Sequence, residues 1–271
     1  MTKTIGLETG AYIAGDTRED EMFVGWAGAP GVDRRFLLWS TPLALAAVGG
    51  IGYAVASELD DPGAGVWDTA TTHEVDGVLA MDPYPVLRTP DASAPGGVRT
   101  LLVMREQKCS RTLDFAGRTG RPVRAAGNRI QRKNRVALEV PLLKYDWISE
   151  PPAGFDAGAA LQPPTPEPLG RATLRGMIMD SKCFFGVMKP ARGKTHKACA
   201  ALCIRGGIPP TFWVRTEEGA ESLLLMTTAA GDAHGEDILP LVADPVEAAG
   251  EIVRVGDLLH FRADAGAYRP I

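Results

Sequence analysis

Aromatic residues are scarce in this chain, at 7%, and after residue 60 hardly any amphipathic stretch is long enough for a sizeable helix. With 31 glycines and 21 prolines in 271 residues, that scarcity favours short strands joined by turns. Positive charge is not in excess either. A net charge of −4 and a pI near 5.7 remove the global attraction on which a nucleic-acid binder relies. No nucleophile elbow, Walker loop, dinucleotide fingerprint or pair of neighbouring carboxylates is present. A Cys-x2-Cys-His haem attachment site is also missing, and His73, His234 and His260 are scattered without ligand spacing. These absences weigh against an enzyme.

One long hydrophobic run is present. Phe36–Ala56 holds no charged residue, and its length matches the roughly 20 residues a helix needs to cross a bilayer. Pro42, Gly49, Gly50 and Gly52 weaken it in ways that membrane helices tolerate. Arg34 and Arg35 precede the run, and Glu58, Asp60 and Asp61 follow it. The positive-inside tendency then predicts a single-pass anchor in the cytoplasmic membrane, residues 1–35 in the cytoplasm and the body of the chain in the periplasm. The alternative is a twin-arginine export signal cut after Ala54-Val55-Ala56. Both export the body. Within the tail, Met22–Trp26 is the one patch expected to be ordered.

Beyond a short Pro/Gly linker at Asp61–Asp68, the pattern predicts strands at Val75–Ala80, Val86–Arg88, Val98–Met104, Pro122–Ile130 and Val136–Val140. A second linker, Glu150–Pro168, carries six prolines and is expected to be extended and semi-rigid. Further strands are predicted at Ala172–Met179, Thr211–Arg215, Leu223–Thr227, Pro245–Val253 and Leu258–Ala263. The halves echo each other: Pro122-Val-Arg-Ala-Ala-Gly127 matches Pro245-Val-Glu-Ala-Ala-Gly250, and each first strand carries a glycine, Gly77 or Gly176. The expected fold is mainly β, with one transmembrane helix and two OB-like five-stranded barrels at 66–149 and 169–271.

Chemistry concentrates in Gly176–Pro210, which holds three of the four cysteines, Cys183, Cys199 and Cys203, with His196. Thr195 is a candidate cap for a short helix that places Cys199 and Cys203 four apart on one face, with Gly206 as its stop. The pattern Gly176-x3-Asp180-Ser181-x-Cys183, then Cys199-x3-Cys203-x2-Gly206, resembles a group of small exported bacterial OB-like proteins of unknown function. The resemblance covers about a third of the chain, departs at Phe184-Phe185 where a glycine usually follows the first cysteine, and implies fold more than activity.

Outside the cytoplasm, three neighbouring thiols imply first a disulfide from Cys183 to Cys199 or Cys203, with Cys109 left free. Such a bridge would be worth about 2–4 kcal/mol. The sharper alternative is a metal site: thiolates joined by His196 suit copper or zinc. The binuclear-copper pattern fails, because Gly207 and Pro210 stand where its histidine and methionine belong. His196 is otherwise expected as an exposed residue near the helix start, and Asp180 and Ser181 as turn-formers.

Charge separates the halves. Eleven Lys/Arg face two acids between Arg99 and Arg135, while ten acids face one arginine between Thr216 and Asp257. Arg118, Arg121, Arg124 and Arg132 are therefore candidates for a partner-binding face, and docking of the first barrel on the second is the alternative. The functional expectation is an accessory subunit that joins other subunits of a membrane complex, without nucleic acid. A copper- or zinc-handling or thiol-redox protein is the alternative.

Overall fold

The computed structural model describes residues 31–57 and 65–271, apart from 109, 116, 143–145 and 217–218. The expectations for Met22–Trp26 and Cys109 lie outside the described residues. Two units are distinct, dividing at Asp61 and Pro62. The first contains α1, Gly31–Ser57. Within it Arg34–Ser57 is 24 residues long with hydropathy 1.4, long and apolar enough to cross a membrane. Its large side chains, among them Leu38, Leu45, Ile51 and Tyr53, are exposed.

The second unit holds two closed five-stranded barrels of the same topology. The first is built from β1 (Val66–Met81), β2 (Pro85–Pro90), β3 (Val98–Arg105), β4 (Pro122–Arg132) and β5 (Arg135–Val140). Their order is β1-β2-β3-β5-β4, closed by pairing β4 back on β1, and only β3 and β5 run parallel. A two-residue strand, β6 (Ile148–Ser149), adds to β4. The second barrel repeats the plan with β7 (Glu167–Asp180), β8 (Pro210–Arg215), β9 (Glu221–Thr227), β10 (Pro245–Val255) and β11 (Leu258–Arg262). Here β9 and β11 are the parallel pair, β10 closes on β7, and β12 (Tyr268–Pro270) adds to β10. A helix, α2 (Lys197–Arg205), is inserted between β7 and β8.

The sequence repeat has a physical cause. Gly77 and Gly176 lie in the first strand of each barrel, and Gly127 and Gly250 in the fourth. A Cβ at these positions would run into the carbonyl oxygens of Arg88, Trp213, Glu139 and Arg262 respectively. Those strands coil so tightly to pair on both sides that the neighbouring backbone occupies the side-chain space, which only glycine leaves free.

Alternation along β4 shows how the interior is divided. Val123 and Ala125 point into the first barrel with Leu79, Leu87, Val103 and Leu138. The opposite face carries Ile130, which packs in a different cluster, with Met104 and Ala137 and with Phe184, Trp213, Leu225 and Leu258 of the second barrel. The outward face of barrel one is thus buried against barrel two, and a continuous apolar seam joins them. The linker is no free spacer. Ala157 and Ala160 are buried against Val78, and β7 already begins at Glu167.

Much of the charge contrast is consumed in that seam. Arg132 is 4% exposed, lies over the Phe184 ring at 4.3 Å and faces Glu221 at 3.4 Å. Arg135 donates to the Asp257 carbonyl at 2.7 Å, and Lys133 reaches Glu221 at 3.2 Å. The expectation that Arg118, Arg121, Arg124 and Arg132 share one outward face is corrected for Arg132, because outward from its barrel is inward for the molecule. Arg124 is held by Asp76 at 2.8 Å and Glu74 at 3.0 Å, Arg118 by Glu150 at 2.7 Å, and Arg121 is exposed.

Candidate functional site

The cysteine cluster forms where three elements converge. Strand β7 ends at Asp180, and the chain then enters a wide turn, Cys183–Val187. Asp180 is fully buried. One of its oxygens accepts the Cys183 backbone N–H at 2.7 Å, and the other meets His196 Nε2 at 3.1 Å. That carboxylate therefore fixes both the thiol-bearing turn and the imidazole. His196 is the residue before α2, and it is 3% exposed. The expectation of an exposed histidine is corrected: a buried carboxylate 16 residues earlier, at the end of β7, gives the ring a partner that spacing alone does not reveal. Thr195 is not the cap either, since the cap position falls to His196 and makes no side-chain capping bond.

Helix α2 carries Cys199, half-buried, and Cys203, buried, on the face turned to Cys183. Cys183 Sγ lies 3.9 Å from Cys203 Sγ and 4.0 Å from Cys199 Sγ. All three thiols are free, so the expected disulfide is not formed in this structure; its sulfurs would stand about 2.05 Å apart. The ligand atoms of Cys183, His196 and Cys199 lie within 4.8 Å of one another, as do those of Asp180, Cys183 and Cys203. Cys183 and Asp180 are thus the vertices around which thiols and imidazole gather.

No family model, curated protein or solved structure matches the chain. The resemblance to exported OB-like proteins therefore rests on its motif residues alone, and the chemistry of the cluster on its own atoms.

Barrel one completes the site through two lysine contacts, one made by its own Lys108 and one received from Lys182 of barrel two. Lys108, in the loop after β3, sends its ammonium to Cys199 Sγ at 2.9 Å and Cys203 Sγ at 3.3 Å. Burial pulls its pKa down, but the hydrogen bonds and charge of the two thiols outweigh burial and leave it above the ordinary lysine value. Cys203 is lowered, first by the hydrogen bond from Cys183 and against its own burial, with Lys108 adding to the effect. Cys183 is raised by the same hydrogen bond, by burial and by Asp180. One proton shared between two thiols beside an ammonium is a setting that favours thiolate.

The second contact is Lys182, next to Cys183. It is 3% exposed, pairs with Glu139 at 2.5 Å, and donates to the carbonyls of Arg105 and Gln107, each at 2.8 Å. Glu139 also accepts from Trp67 Nε1 at 2.9 Å. A buried pair with all three ammonium protons and both carboxylate oxygens engaged is the arrangement in which attraction can offset desolvation. Gly206 ends α2 against the Lys108 carbonyl, where a Cβ would collide with that oxygen. Sequence reasoning found the cysteines and His196 but missed Lys108, Lys182 and Glu139. No local spacing marks them, because their partners lie in the other barrel.

Proposed function

We propose that this is a membrane-anchored metal-handling protein whose cysteine cluster binds a thiophilic d10 cation, copper(I) or zinc(II). The observation that carries the reading is the 3.9 and 4.0 Å separation of Cys183 Sγ from its two sulfur neighbours. Thiolates bound at about 2.3 Å to one tetrahedral or trigonal centre stand about 3.8–4.0 Å apart. With His196 Nε2 on Asp180, Nδ1 is the nitrogen left to coordinate, and a carboxylate behind a ligating histidine is the usual second support of a metal site. Soft thiolates select copper(I) and zinc over hard cations. Cys199 is the half-buried member, which offers an approach for ligand exchange that a fully closed structural site would lack. The recipient or donor would be another subunit of a membrane complex.

The accessory-subunit reading alone has less support, since Arg132 is spent inside the molecule. The test is to purify the full chain without chelator and measure copper, zinc and free thiols. One equivalent of either metal, released on denaturation together with the protected thiols of Cys183 and one of its two sulfur neighbours, supports the proposal. A Cys183–Cys203 or Cys183–Cys199 disulfide in the freshly isolated protein overturns it.

The helix and its flanking charges support placing both barrels on the periplasmic side of the cytoplasmic membrane. Protease added to spheroplasts should then digest the barrels and spare the N-terminal tail. Protected barrels would reverse the orientation.

A further inference from the structure

Where both barrels meet the connection between them lies a partly open cavity of about 440 Å³, a size suited to a small molecule. Its walls come from three places: β2 and β3 of barrel one, the proline-rich connection, and the β10–β11 turn of barrel two. Val78, Arg88 and Thr100 are cross-strand neighbours. The connection covers Val78 with Ala157 and Ala160, while Arg88 and Thr100 line the cavity.

Arg88 is 5% exposed. Its Nε makes no hydrogen bond, and among the described residues no carboxylate comes within ion-pairing distance of it. The acids nearby are already engaged. Asp257 accepts the Thr100 backbone N–H at 3.0 Å and faces Arg99 at 3.7 Å. Glu167, in the cavity wall, pairs with Arg254 at 2.9 Å. Asp82 exerts only a charge effect too weak to cancel burial, which pulls Arg88 below the ordinary arginine range. A buried guanidinium with an idle donor is costly unless something supplies acceptors. Arginine holds its charge and presents a planar fork that matches two oxygens of one anion. Arg254, half-exposed on the same wall, is balanced by Glu167 and adds guanidinium donors at the entrance, leaving Arg88 as the uncompensated charge.

We propose that this inter-barrel cavity is a binding site for a small oxyanion, an organic carboxylate or an inorganic phosphate or sulfate, held by Arg88 with Arg254 at the entrance. The site is separate from the cysteine cluster and does not depend on the metal reading. Because its walls come from both barrels and their connection, an anion there would tighten the seam.

The full chain in detergent should be titrated with malonate, phosphate and sulfate against chloride at matched ionic strength, following melting temperature and heat of binding. Saturable binding of at least one of the three in the millimolar range or tighter, with a rise in melting temperature, is expected. Which probe saturates first distinguishes an organic from an inorganic ligand. Arg88→Lys should weaken binding by about tenfold or more, because the bidentate fork is lost while the charge stays. Ala159→Phe adds bulk at an exposed position of the wall while keeping Arg88, and should abolish binding in a protein that still melts cooperatively. Absence of saturation by all three anions, or full binding in Ala159→Phe or Arg88→Lys, overturns the proposal.

Discussion

Replacing Cys183 with serine is expected to reduce the bound metal from one equivalent to a trace. Cys183 is the shared vertex of both ligand groups, and its sulfur is the one within 4.0 Å of both others. Loss of an outer support typically costs 10–100-fold in metal affinity, so loss of this ligand should exceed about 100-fold. Asp180→Asn gives the graded comparison. It keeps every sulfur and the imidazole but weakens the carboxylate behind His196, and should cost about 10–100-fold. Both variants should be compared at one pH, since thiols and imidazole must lose their protons to bind and affinity falls as the solution is acidified. A Cys183→Ser protein that retains a full equivalent would remove the cluster from the account.

The second large effect is on stability. Glu139→Ala should leave the Lys182 ammonium without its counter-charge at the seam, where the two side chains are 3% and 4% exposed. Breaking one half of such a pair costs about 3–5 kcal/mol. For a unit of this size that corresponds to a fall in melting temperature on the order of 10 °C. The double variant Glu139→Leu with Lys182→Met should recover most of the loss, since a well-packed apolar pair needs no desolvation of charge. The single variant should also loosen metal binding, because Lys182 adjoins Cys183. A melting temperature within about 2 °C of the parent protein would mean that the pair is open to water, and that barrel one does not brace the site.

How much of this was legible follows from the range over which each signal acts. Strand alternation and turn residues act locally, so the ten barrel strands could be read from them, with most ends shifted by a few residues but with β1 starting nine residues before the expected Val75, inside the expected linker. The Pro-Val-x-Ala-Ala-Gly repeat could be read because each barrel requires a glycine where one strand crowds its neighbour's carbonyl, at Gly127 and Gly250. The uncharged run could be read as α1 for the same reason. The seam was not legible. Alternation says only that Ile130 and Arg132 leave the barrel interior, and it cannot say that a second barrel waits on that side. For Arg132 a solvated face and a buried one have the same pattern.

At the site, the cysteines and the stop at Gly206 were visible as spacing. The two short strands β6 and β12 were not, being too brief to show a period. His196 was misjudged because its burial depends on Asp180, whose side chain turns back beneath α2. Lys108 precedes Cys109 in an unremarkable polar loop, and nothing in its neighbours indicates contact with Cys199 and Cys203. Thiol chemistry was therefore legible as a set of residue types, while the spacing of the sulfurs was not.

X-ray absorption on the full chain loaded with one equivalent of copper(I) or zinc(II) reads the coordination shell at the cysteine cluster. Two sulfur scatterers at about 2.3 Å, from Cys183 and Cys199, are expected with one imidazole nitrogen at about 2.0–2.1 Å, and the nitrogen contribution should be lost in His196→Ala. A first shell made only of oxygen and nitrogen, or a spectrum unchanged by Cys183→Ser, would contradict the metal reading.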